Sequence, residues 1–586
     1  NLTNLQRAID YIKEDLGEDI ELSEIPLNSK KVYEMLSRGD TSGVFQLESQ
    51  GIRKILLKLK PDRFEDIIAL LALYRPGPLG SGMVDDFING KNGISEIIYP
   101  HPSLELTLKE TYGVILYQEQ VMKIANIMAN YSLGEADLLR RAMGKKNVQI
   151  MEENREKFVE RSMENGYTKE KAIELFDLID KFAGYGFNKS HSAAYALIAY
   201  WTAYFKAYYM KHYYASLMTS EMSHVEDIAF YMEDAKAHNM KLHLPDVNRA
   251  SSKFRVDKEG IIFSLAAIKN VGEGVSAKIL EECNENGDYK NFEDFVVRTR
   301  KHGLNKKALE SLILAGALDS LPGNRKQKFE SVDKILDYAT RKIKEDEIQQ
   351  MNLFGEAKSS LGVFTLPQVP EYSLEELLAR EKEYLGFYFS AHPLDNYRRL
   401  IEVYRLSKIS ELKELKEEKS VQIFRTCGIL REIKKIVTKK TGQIMCLFEL
   451  EDYYEKINCV VFPKDYAENA HIFMEGKTVY IEGTIQTDYF KGAETKKLIV
   501  RNIKFLDDIV RDKRLTAYIL LKEEDRDKFS RLKKIILSYP GDTKLSFAIK
   551  TKTAKEIRAT KYKIAPSRLF IDEIIDLIGI DKLTIK

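Results

Sequence analysis

Apolar side chains recur at spacings of three and four residues through most of the first 225 positions, which is the pattern of helices that bury one face. Clear examples are FEDIIALLALY at 64–74 and KAIELFDLIDKFAGYGF at 171–187. Arg75-Pro76-Gly77-Pro78 interrupts this pattern, because two prolines fix backbone angles and stop a helix. We predict one large helical domain over 1–225, which begins with an amphipathic helix.

Residues 226–345 show shorter helical patterns separated by small turns, with a strand-like stretch from Gly260 to Leu265. We predict two short helical hairpins in this region. A charged helix, DYATRKIKEDEIQQ at 337–350, then leads into an apolar pair followed by Gly355, which is typical of a helix end and an exposed peptide. We assign 346–417 to this peptide and a connector.

Between 418 and 507 the pattern changes to an alternation with a period of two, which is typical of strands with one buried face. Five segments carry the alternation: 421–430, 444–452, 456–462, 478–486 and 497–506. Five strands in a small closed sheet predict an oligonucleotide-binding (OB) barrel. Residues 508–586 alternate short strands and helices and are predicted to form a small α/β domain. The predicted fold is multi-domain and mainly α.

Length and charge limit the functional classes. A chain of 586 residues exceeds what one hydrophobic core organises, in agreement with several domains. The 91 lysines and arginines nearly balance the 89 acidic residues, so the net charge is only +2. A uniformly basic coat for nucleic acid is therefore excluded, and any contact with nucleic acid must come from local basic patches.

The cysteines and the apolar runs indicate a reduced, cytoplasmic protein. Cys283, Cys427, Cys446 and Cys459 are widely spaced and form no CxxC pair, so neither structural zinc nor a disulfide framework is expected. The most apolar stretch, 193–205, is shorter than the ~20 residues of a membrane span. We expect no membrane partner.

Two segments contain candidate anion-binding residues, and the first is LLRRAMGKK at 138–146. Four cations lie within seven residues there, at the predicted end of a helix: Arg140, Arg141, Lys145 and Lys146. Such clustering creates a local anion site. The alternative is that these cations only complement the helix dipole.

The second segment is GYGFNKSHS at 184–192, in which a glycine-flexible loop passes into an apolar helix. Backbone amides at the start of a helix point outward, and Lys189, His191 and nearby hydroxyls favour a bound phosphate. The candidate phosphate-binding residues are Asn188, Lys189, Ser190 and His191. The alternative is that Ser190 or Ser192 is only a helix N-cap.

Five longer motifs occur in order along the chain: GVFQLES at 43–49, ALYRPGPL at 72–79, YGVILYQEQVM at 112–122, LLRRAMGKK at 138–146 and FAGYGFNKSHSAAYAL at 182–197. With these motifs the chain resembles the bacterial DNA polymerase III alpha subunits, the C-family of replicative DNA polymerases. The likeness extends through the hairpin and barrel regions and weakens after about residue 508. In that family the helical domain is the fingers, which closes over the incoming deoxynucleoside triphosphate.

The resemblance implies roles for the two cationic segments. Arg140 and Arg141 would meet the triphosphate or the paired base, and Lys189, Ser190 and His191 would lie against its phosphates. These roles agree with the chemistry of phosphoryl transfer, in which the protein contributes positioning and fixed positive charge.

The family's reaction also needs two Mg²⁺ ions, which are held by three aspartates of a palm domain. We expect those aspartates, and the family's N-terminal PHP domain, upstream of Asn1. Asp85-Asp86 lies in VDDFING, which is typical of a surface turn and not of a metal site. We therefore expect no catalytic residue and no bound cofactor in this chain, and we predict that it cannot incorporate nucleotides alone.

The hairpin region contains a candidate DNA contact. In IKNVGEGVSAK at 268–278, two glycines bracket a turn and would let backbone amides approach DNA phosphates. The candidate residues are Lys269, Gly272, Gly274 and Lys278. With the second hairpin, this segment resembles a tandem helix-hairpin-helix module, which holds duplex backbones without reading sequence. For the second hairpin, which has no matching GxG, the alternative of a packing turn with incidental lysines stays open.

Gln350-Met351-Asn352-Leu353-Phe354 resembles the peptide by which bacterial polymerases bind the sliding clamp. Gln350 would form a hydrogen bond at the rim of the clamp's pocket, while Leu353 and Phe354 would fill that pocket. Burial of these two side chains is worth about 3–5 kcal/mol before the costs of binding. The alternative is an ordinary hydrophobic helix end.

We expect the barrel to bind single-stranded template, since aromatic rings and cations lie together in its strands and loops. The candidates are Tyr453, Tyr454, Tyr489, Phe490, Lys434, Lys435, Lys439 and Lys440. The alternative is that many of them are solvated loop residues.

The resemblance predicts part of a DNA-directed DNA polymerase. Its expected partners are primer-template DNA, dNTPs and the sliding clamp, with the clamp-loader tau subunit and a proofreading exonuclease as further candidates. Two other functions stay open, a noncatalytic adaptor that binds DNA and clamp, and an error-prone relative of the same family.

Overall fold

A computed structural model describes residues 1–586 apart from 146–147, 184–185, 250, 352–361, 416–421, 439–440, 454, 491–492, 513 and 551–554. The chain folds into two compact units, residues 1–369 and residues 370–586.

The first 237 residues are helical, as the three- and four-residue spacing predicts. The helices are α1 (Leu2–Leu16), α2 (Lys30–Ser37), α3 (Gln50–Leu59), α4 (Phe64–Leu73), α5 (Pro76–Gly80), α6 (Met83–Lys91), α7 (Glu105–Leu108), α8 (Gln118–Ala129), α9 (Leu133–Lys145), α10 (Val148–Glu164), α11 (Lys169–Ala183), α12 (Lys189–Tyr208), α13 (Met210–Ser220) and α14 (Val225–Ala237). The Pro-Gly-Pro run both follows the end of α4 and begins α5, with Pro76 at the first helical position. Asp85 and Asp86 lie exposed in the first turn of α6, so the predicted surface turn is wrong.

Two groups of helices form separate parts of the core. Helix α12 packs on α2, α4 and α13, with Ala199 and Ala203 fully buried in the contact. Helices α8 to α11 form a second hydrophobic cluster around Leu139, Phe158 and Phe176. This division matters for the site, because α9 and α12 carry the two cationic segments.

The rest of the first unit combines short helices with a small sheet. Its elements are β1 (Lys241–His243), β2 (Arg255–Val256), β3 (Gly260–Ile262), α15 (Gly272–Asn286), α16 (Phe292–Arg300), α17 (Lys306–Leu314), α18 (Arg325–Glu330) and α19 (Val332–Met351). Strand β3 lies between β1, its parallel neighbour, and β2, its antiparallel neighbour. The sequence predicted only β3, because β3 lies in the longer apolar stretch 260–265, whereas β1 and β2 are short and largely polar.

A closed barrel forms in the second unit, as the five alternating segments predict. It follows α20 (Leu374–Leu385), α21 (Arg398–Val403) and α22 (Ile409–Lys413), and it comprises β4 (Phe424–Val437), β5 (Ile444–Glu451), β6 (Lys456–Val461), α23 (Pro463–Asn469), β7 (Thr478–Phe490) and β8 (Ala493–Phe505). The strand order is β4-β5-β6-β8-β7, and the parallel pair of β6 with β8 completes the ring. Gly483 is required where β7 bends, because a Cβ there would lie 2.5 Å from the Ile499 carbonyl oxygen.

Residues 516–586 form a four-stranded sheet with two helices. The elements are β9 (Thr516–Leu521), α24 (Phe529–Ser538), β10 (Pro540–Lys550), β11 (Lys555–Ile564), α25 (Arg568–Ile578) and β12 (Leu583–Ile585), and the strand order is β11-β10-β9-β12. Their core is shared: Leu378 and Leu400, from the predicted connector, and Ile429, from the barrel, belong to the same hydrophobic cluster as Phe570.

The four cysteines are free and buried, and three of them lie on barrel strands. Within the described parts of the chain, no helix combines the length and the apolar character that a membrane crossing requires.

A buried ion cluster joins the ends of three segments of the helical region. The Lys206 side chain is fully buried, and its Nζ lies 2.7 Å from Asp40 Oδ1 and 3.1 Å from Asp234 Oδ2. The His238 imidazole contacts Asp40 at 2.8 Å, and Lys206 also donates to the Ser42 carbonyl. Burial is the largest influence and opposes ionisation of both aspartates, but the charge of Lys206 and the hydrogen bonds that the carboxylates accept together outweigh it and lower the pKa of Asp40 and of Asp234.

Replacing Lys206 by Met should therefore destabilise the helical region strongly, because two mostly buried carboxylates lose the ammonium that pairs with both of them. We expect a loss of about 3–5 kcal/mol. The chain's one tryptophan, Trp201, lies on the same helix as Lys206, so urea unfolding followed by its fluorescence measures the effect. Lys13→Met removes an exposed pair with Asp19 and should change little. Equal effects of the two substitutions would contradict this account.

Candidate nucleotide and nucleic-acid sites

The two cationic segments meet at the start of α8. Tyr117 and Phe187 form an isolated parallel β-bridge, in which the Gln118 amide donates to the Phe187 carbonyl at 2.9 Å. This bridge brings the loop before α12 against the beginning of α8. The Gln118 side chain also accepts from Arg140 Nη1 at 3.4 Å, so the arginine on α9 reaches the same point.

Both arginines of α9 pair with one carboxylate. Arg140 Nη2 lies 2.8 Å from Asp137 Oδ1, and Arg141 Nε lies 2.8 Å from Asp137 Oδ2. The hydrogen bond from Arg140 is the largest cause of the lowered pKa of Asp137. Arg140 keeps 30% of its side chain exposed and Arg141 keeps 65%, so both guanidinium groups remain reachable from solvent.

The start of α12 is capped by Asn188, and not by either serine. The Asn188 side-chain oxygen accepts from the His191 amide at 2.8 Å. Ser192 is buried and its hydroxyl donates to the Ile68 carbonyl at 2.6 Å, which fixes α12 on α4. The Lys189 amide donates to both carboxylate oxygens of Glu119, at 3.1 and 3.0 Å. An internal carboxylate thus already lies at this helix N-terminus.

The side chains of the second segment face an aromatic surface. Lys189 Nζ pairs with Glu110 at 2.7 Å and lies 5.4 Å from the ring centroid of Tyr117. The exposed His191 ring lies 4.6 Å from Tyr195 and 5.5 Å from Phe187. Ser190 is exposed beside them. The predicted residues Asn188 to His191 therefore lie together on the surface.

Arg75 is a further cation at this surface that the sequence did not assign. Its guanidinium lies 4.2 Å from the ring centroid of Phe187, and burial lowers the pKa of Arg75. The sequence did contain an indication of this role, since Arg75 belongs to the family motif at 72–79. The pairing of Asp137 with both arginines was also detectable from its i,i+3 and i,i+4 spacing. No spacing rule connects Glu119 with Lys189, because 70 positions separate them.

The hairpin segment presents open backbone. Asn270 and Gly272 both adopt left-handed conformations, with φ of 66° and 65°, where the chain turns into α15, whose first residue is Gly272. A Cβ added at Gly272 or at Gly274 would meet no atom within 4 Å. Gly274 lies within the first turn of α15, so the two glycines do not bracket the turn as predicted. Lys278 donates to the His302 carbonyl at 3.2 Å, and Lys269 precedes the turn.

The barrel candidates separate into exposed and packed residues. Lys434 and Lys435 are exposed on β4. Tyr453 packs against His392, with the ring centroids 4.4 Å apart, and burial lowers the pKa of His392 to about 4. The side chain of Tyr453 is therefore engaged within the protein. The other five lie outside the described residues or on side chains that the structure does not describe: Lys439, Lys440, Tyr454, Tyr489 and Phe490.

Comparison with known proteins connects this arrangement to one family. Residues 1–166 match the family model of the bacterial DNA polymerase III alpha subunit finger domain, 239–328 match a helix-hairpin-helix motif, and 424–506 match an OB-fold nucleic acid binding domain. The DNA polymerase III subunit alpha of Borreliella burgdorferi is 38% identical over 577 residues, which cover 93% of this chain and 50% of that relative. The chain belongs to the family of bacterial DNA polymerase III alpha subunits.

Other alpha subunits show the same relationship. That of Aquifex aeolicus is 40% identical over 529 residues, covering 89% of this chain and 43% of the relative. That of Vibrio cholerae is 36% identical over 581 residues, covering 97% of this chain and 50% of the relative. The chain thus spans about half the length of the curated relatives it matches. The predicted family, and the predicted fold of helical fingers, helix-hairpin-helix domain and OB barrel, are confirmed.

Parts of two predicted sites lie outside the description. The side chain of Lys145 and all of Lys146 lie outside the described residues, so their predicted position beside Arg140 is not tested. In the expected clamp-binding peptide, Asn352, Leu353 and Phe354 lie outside the described residues. Gln350 and Met351 end α19, and their side chains are not described. Both assignments stay predictions.

The described residues do not fit the pair of Mg²⁺ ions that alpha subunits are expected to use. Two groups bring three acidic or histidine side chains within reach of one another. In the first, Asp40 and Asp234 already hold the Lys206 ammonium, which occupies the position of a cation. The second, formed by Glu221, His224 and Asp227, is a single largely exposed turn before and at the start of α14. Neither group offers two adjoining metal sites.

The cap of α12 gives a direct test of the local structure. Asn188→Ala should cost about 1 kcal/mol, because the His191 amide loses its acceptor. Asn188→Asp should retain the stability, and Ser190→Ala should not change it. Urea unfolding followed by Trp201 fluorescence measures all three variants. A larger loss from Ser190→Ala than from Asn188→Ala would show that the cap is wrongly assigned.

Proposed function

We propose that the intact protein is a DNA-directed DNA polymerase, a nucleotidyltransferase that extends primers during DNA replication, and that this chain supplies its fingers, duplex-binding module and OB barrel. The observation that carries the proposal is that Arg140 and the loop before α12 both contact Gln118, next to a surface that presents Lys189 and His191. Family membership and this concentration of cations support the same function.

In the proposed reaction, these residues bind the triphosphate of the incoming dNTP. A guanidinium donates to two phosphate oxygens at once, whereas Lys189 contributes a point charge. The carboxylates that now hold these cations must be exchanged for phosphate oxygens. The exchange is feasible because Asp137 and Glu110 form their pairs with partly exposed cations, and exposed pairs are weak.

We propose that the intact enzyme binds its Mg²⁺ ions with carboxylates other than those of the two groups described above. When bound, two such ions would activate the primer hydroxyl and stabilise the leaving pyrophosphate. The role proposed for the present chain is confined to binding and orientation. The 586-residue chain alone should therefore bind dNTP without incorporating it.

The other modules are proposed to hold DNA. The open backbone of Gly272 and Gly274 allows amides to approach the phosphates of a duplex, while the exposed lysines of β4 suit a single strand. We also retain the peptide 350–354 as the proposed contact with the sliding clamp. The clamp-loader tau subunit and the proofreading exonuclease stay further proposed partners.

Arg140→Ala removes the guanidinium. In the intact polymerase this substitution should raise the KM for dNTP about 10- to 100-fold, because charge-assisted hydrogen bonds to phosphate are lost. Steady-state primer extension measures this change, and primer-template affinity should stay the same. Arg155→Ala is a matched control, because Arg155 has 31% of its side chain exposed and also pairs with an aspartate.

Normal nucleotide dependence in the Arg140→Ala enzyme would contradict the proposed nucleotide site. The same conclusion would follow if Arg155→Ala raised the KM equally, because the effect would then reflect general destabilisation.

A further inference from the structure

The motif at 112–122 carries part of the family likeness, yet neither cationic segment lies within it. Its residue Gln118 contacts both segments. The side-chain oxygen accepts from Arg140 Nη1 at 3.4 Å, and the side-chain amide donates to the Gly186 carbonyl at 3.3 Å. The backbone amide of Gln118 donates to the Phe187 carbonyl at 2.9 Å.

Gln118 connects two regions that are otherwise supported by different parts of the core. Helix α9 packs on α8, α10 and α11, whereas α12 packs on α2, α4 and α13. The loop before α12 joins the two groups, because it begins at the end of α11, which packs on α9, and ends at α12. The position of Arg140 relative to the start of α12 is therefore not fixed by one packed cluster. A side chain that hydrogen-bonds to both can set that position to within the small tolerance that a phosphate site requires.

The neighbours of Gln118 make it a suitable positioning element. Gln120 is buried and its Oε1 accepts from the Leu116 and Tyr117 amides, at 2.8 and 2.9 Å, which fixes the start of α8. Glu119 accepts from the Lys189 amide at the start of α12. The three residues Gln118 to Gln120 thus form a rigid unit that touches both cationic segments.

Close packing also requires glycine on the opposite side. A Cβ at Gly186 would lie 3.3 Å from Gln118 Cγ and 2.7 Å from Phe182 Cε1. The ring of Phe182 is the closer of the two, so glycine at 186 chiefly lets the loop pass this ring at the end of α11. The same lack of a side chain lets the loop lie close to Gln118.

We propose that Gln118 is a positioning residue for the nucleotide site, which holds the Arg140 guanidinium in register with the loop that begins α12. The inference rests on the proposed function, because it assigns a role within the same site. Gln118 acts through Arg140 and the loop, and it is not assigned a direct contact with the triphosphate.

The test uses the intact polymerase with Gln118→Met, which keeps the side-chain length and removes both polar contacts. We expect the KM for dNTP to rise about 3- to 10-fold, the range for loss of one or two neutral hydrogen bonds. Primer-template affinity should stay unchanged. Asn126→Ala is the control, since it removes one side-chain hydrogen bond, to the Tyr131 carbonyl, from the other end of α8.

The double variant Gln118→Met with Arg140→Ala separates positioning from general destabilisation. If Gln118 acts through Arg140, the two effects on KM are not additive, and the double variant should resemble Arg140→Ala alone. Asn126→Ala should add to Arg140→Ala without coupling. Gln118→Glu should also raise the KM, because it retains the acceptor for Arg140 but loses the donor to Gly186.

The outcomes distinguish the two proposals. If Arg140→Ala raises the KM and Gln118→Met does not, or if their effects simply add, the positioning role is wrong while the nucleotide site stands. If Arg140→Ala itself leaves the KM unchanged, the proposed function of the site fails first. Should Gln118→Met unfold the helical region, as Trp201 fluorescence of the 586-residue chain would show, Gln118→Glu provides the same comparison.

Discussion

Carboxylates of the protein neutralise the cations of the proposed nucleotide site before any ligand binds. Asp137 holds both arginines of α9, Glu110 holds the Lys189 ammonium, and Glu119 holds the Lys189 amide. These contacts keep like charges at fixed positions on one surface, where they would otherwise repel one another. They also impose a condition on function, because phosphate oxygens must replace carboxylate oxygens.

The buried cluster around Lys206 shows the opposite use of the same chemistry. Its ammonium is fully buried and its carboxylates are mostly buried, so this ion pair cannot be exchanged at a small cost. Arg140 and Arg141 retain exposure, so their pairs with Asp137 can open. Burial thus distinguishes ion pairs that stabilise the fold from those that can serve a ligand.

Sequence patterns predicted those parts of the molecule that long, regular elements determine. The helical region and the five barrel strands have clear periods, so their existence was predictable, and α4 ended where the prolines required. Strands β1 and β2 were missed because they are short and largely polar, whereas the equally short β3 belongs to an apolar stretch. The candidate residues Asn188 to His191 were found together, but the capping role of Asn188 depends on its backbone conformation. The contact of Gln118 with Gly186 joins positions 68 apart and could only be seen in the fold.

The most direct test of the account is a structure of the intact protein with primer-template DNA and an incoming dNTP. The account predicts triphosphate oxygens about 3 Å from the Arg140 guanidinium and from the Lys189 side chain. Asp137 should have released Arg140, while Gln118 still connects Arg140 with Gly186. A triphosphate bound elsewhere, with the pair of Asp137 and Arg140 intact, would contradict it.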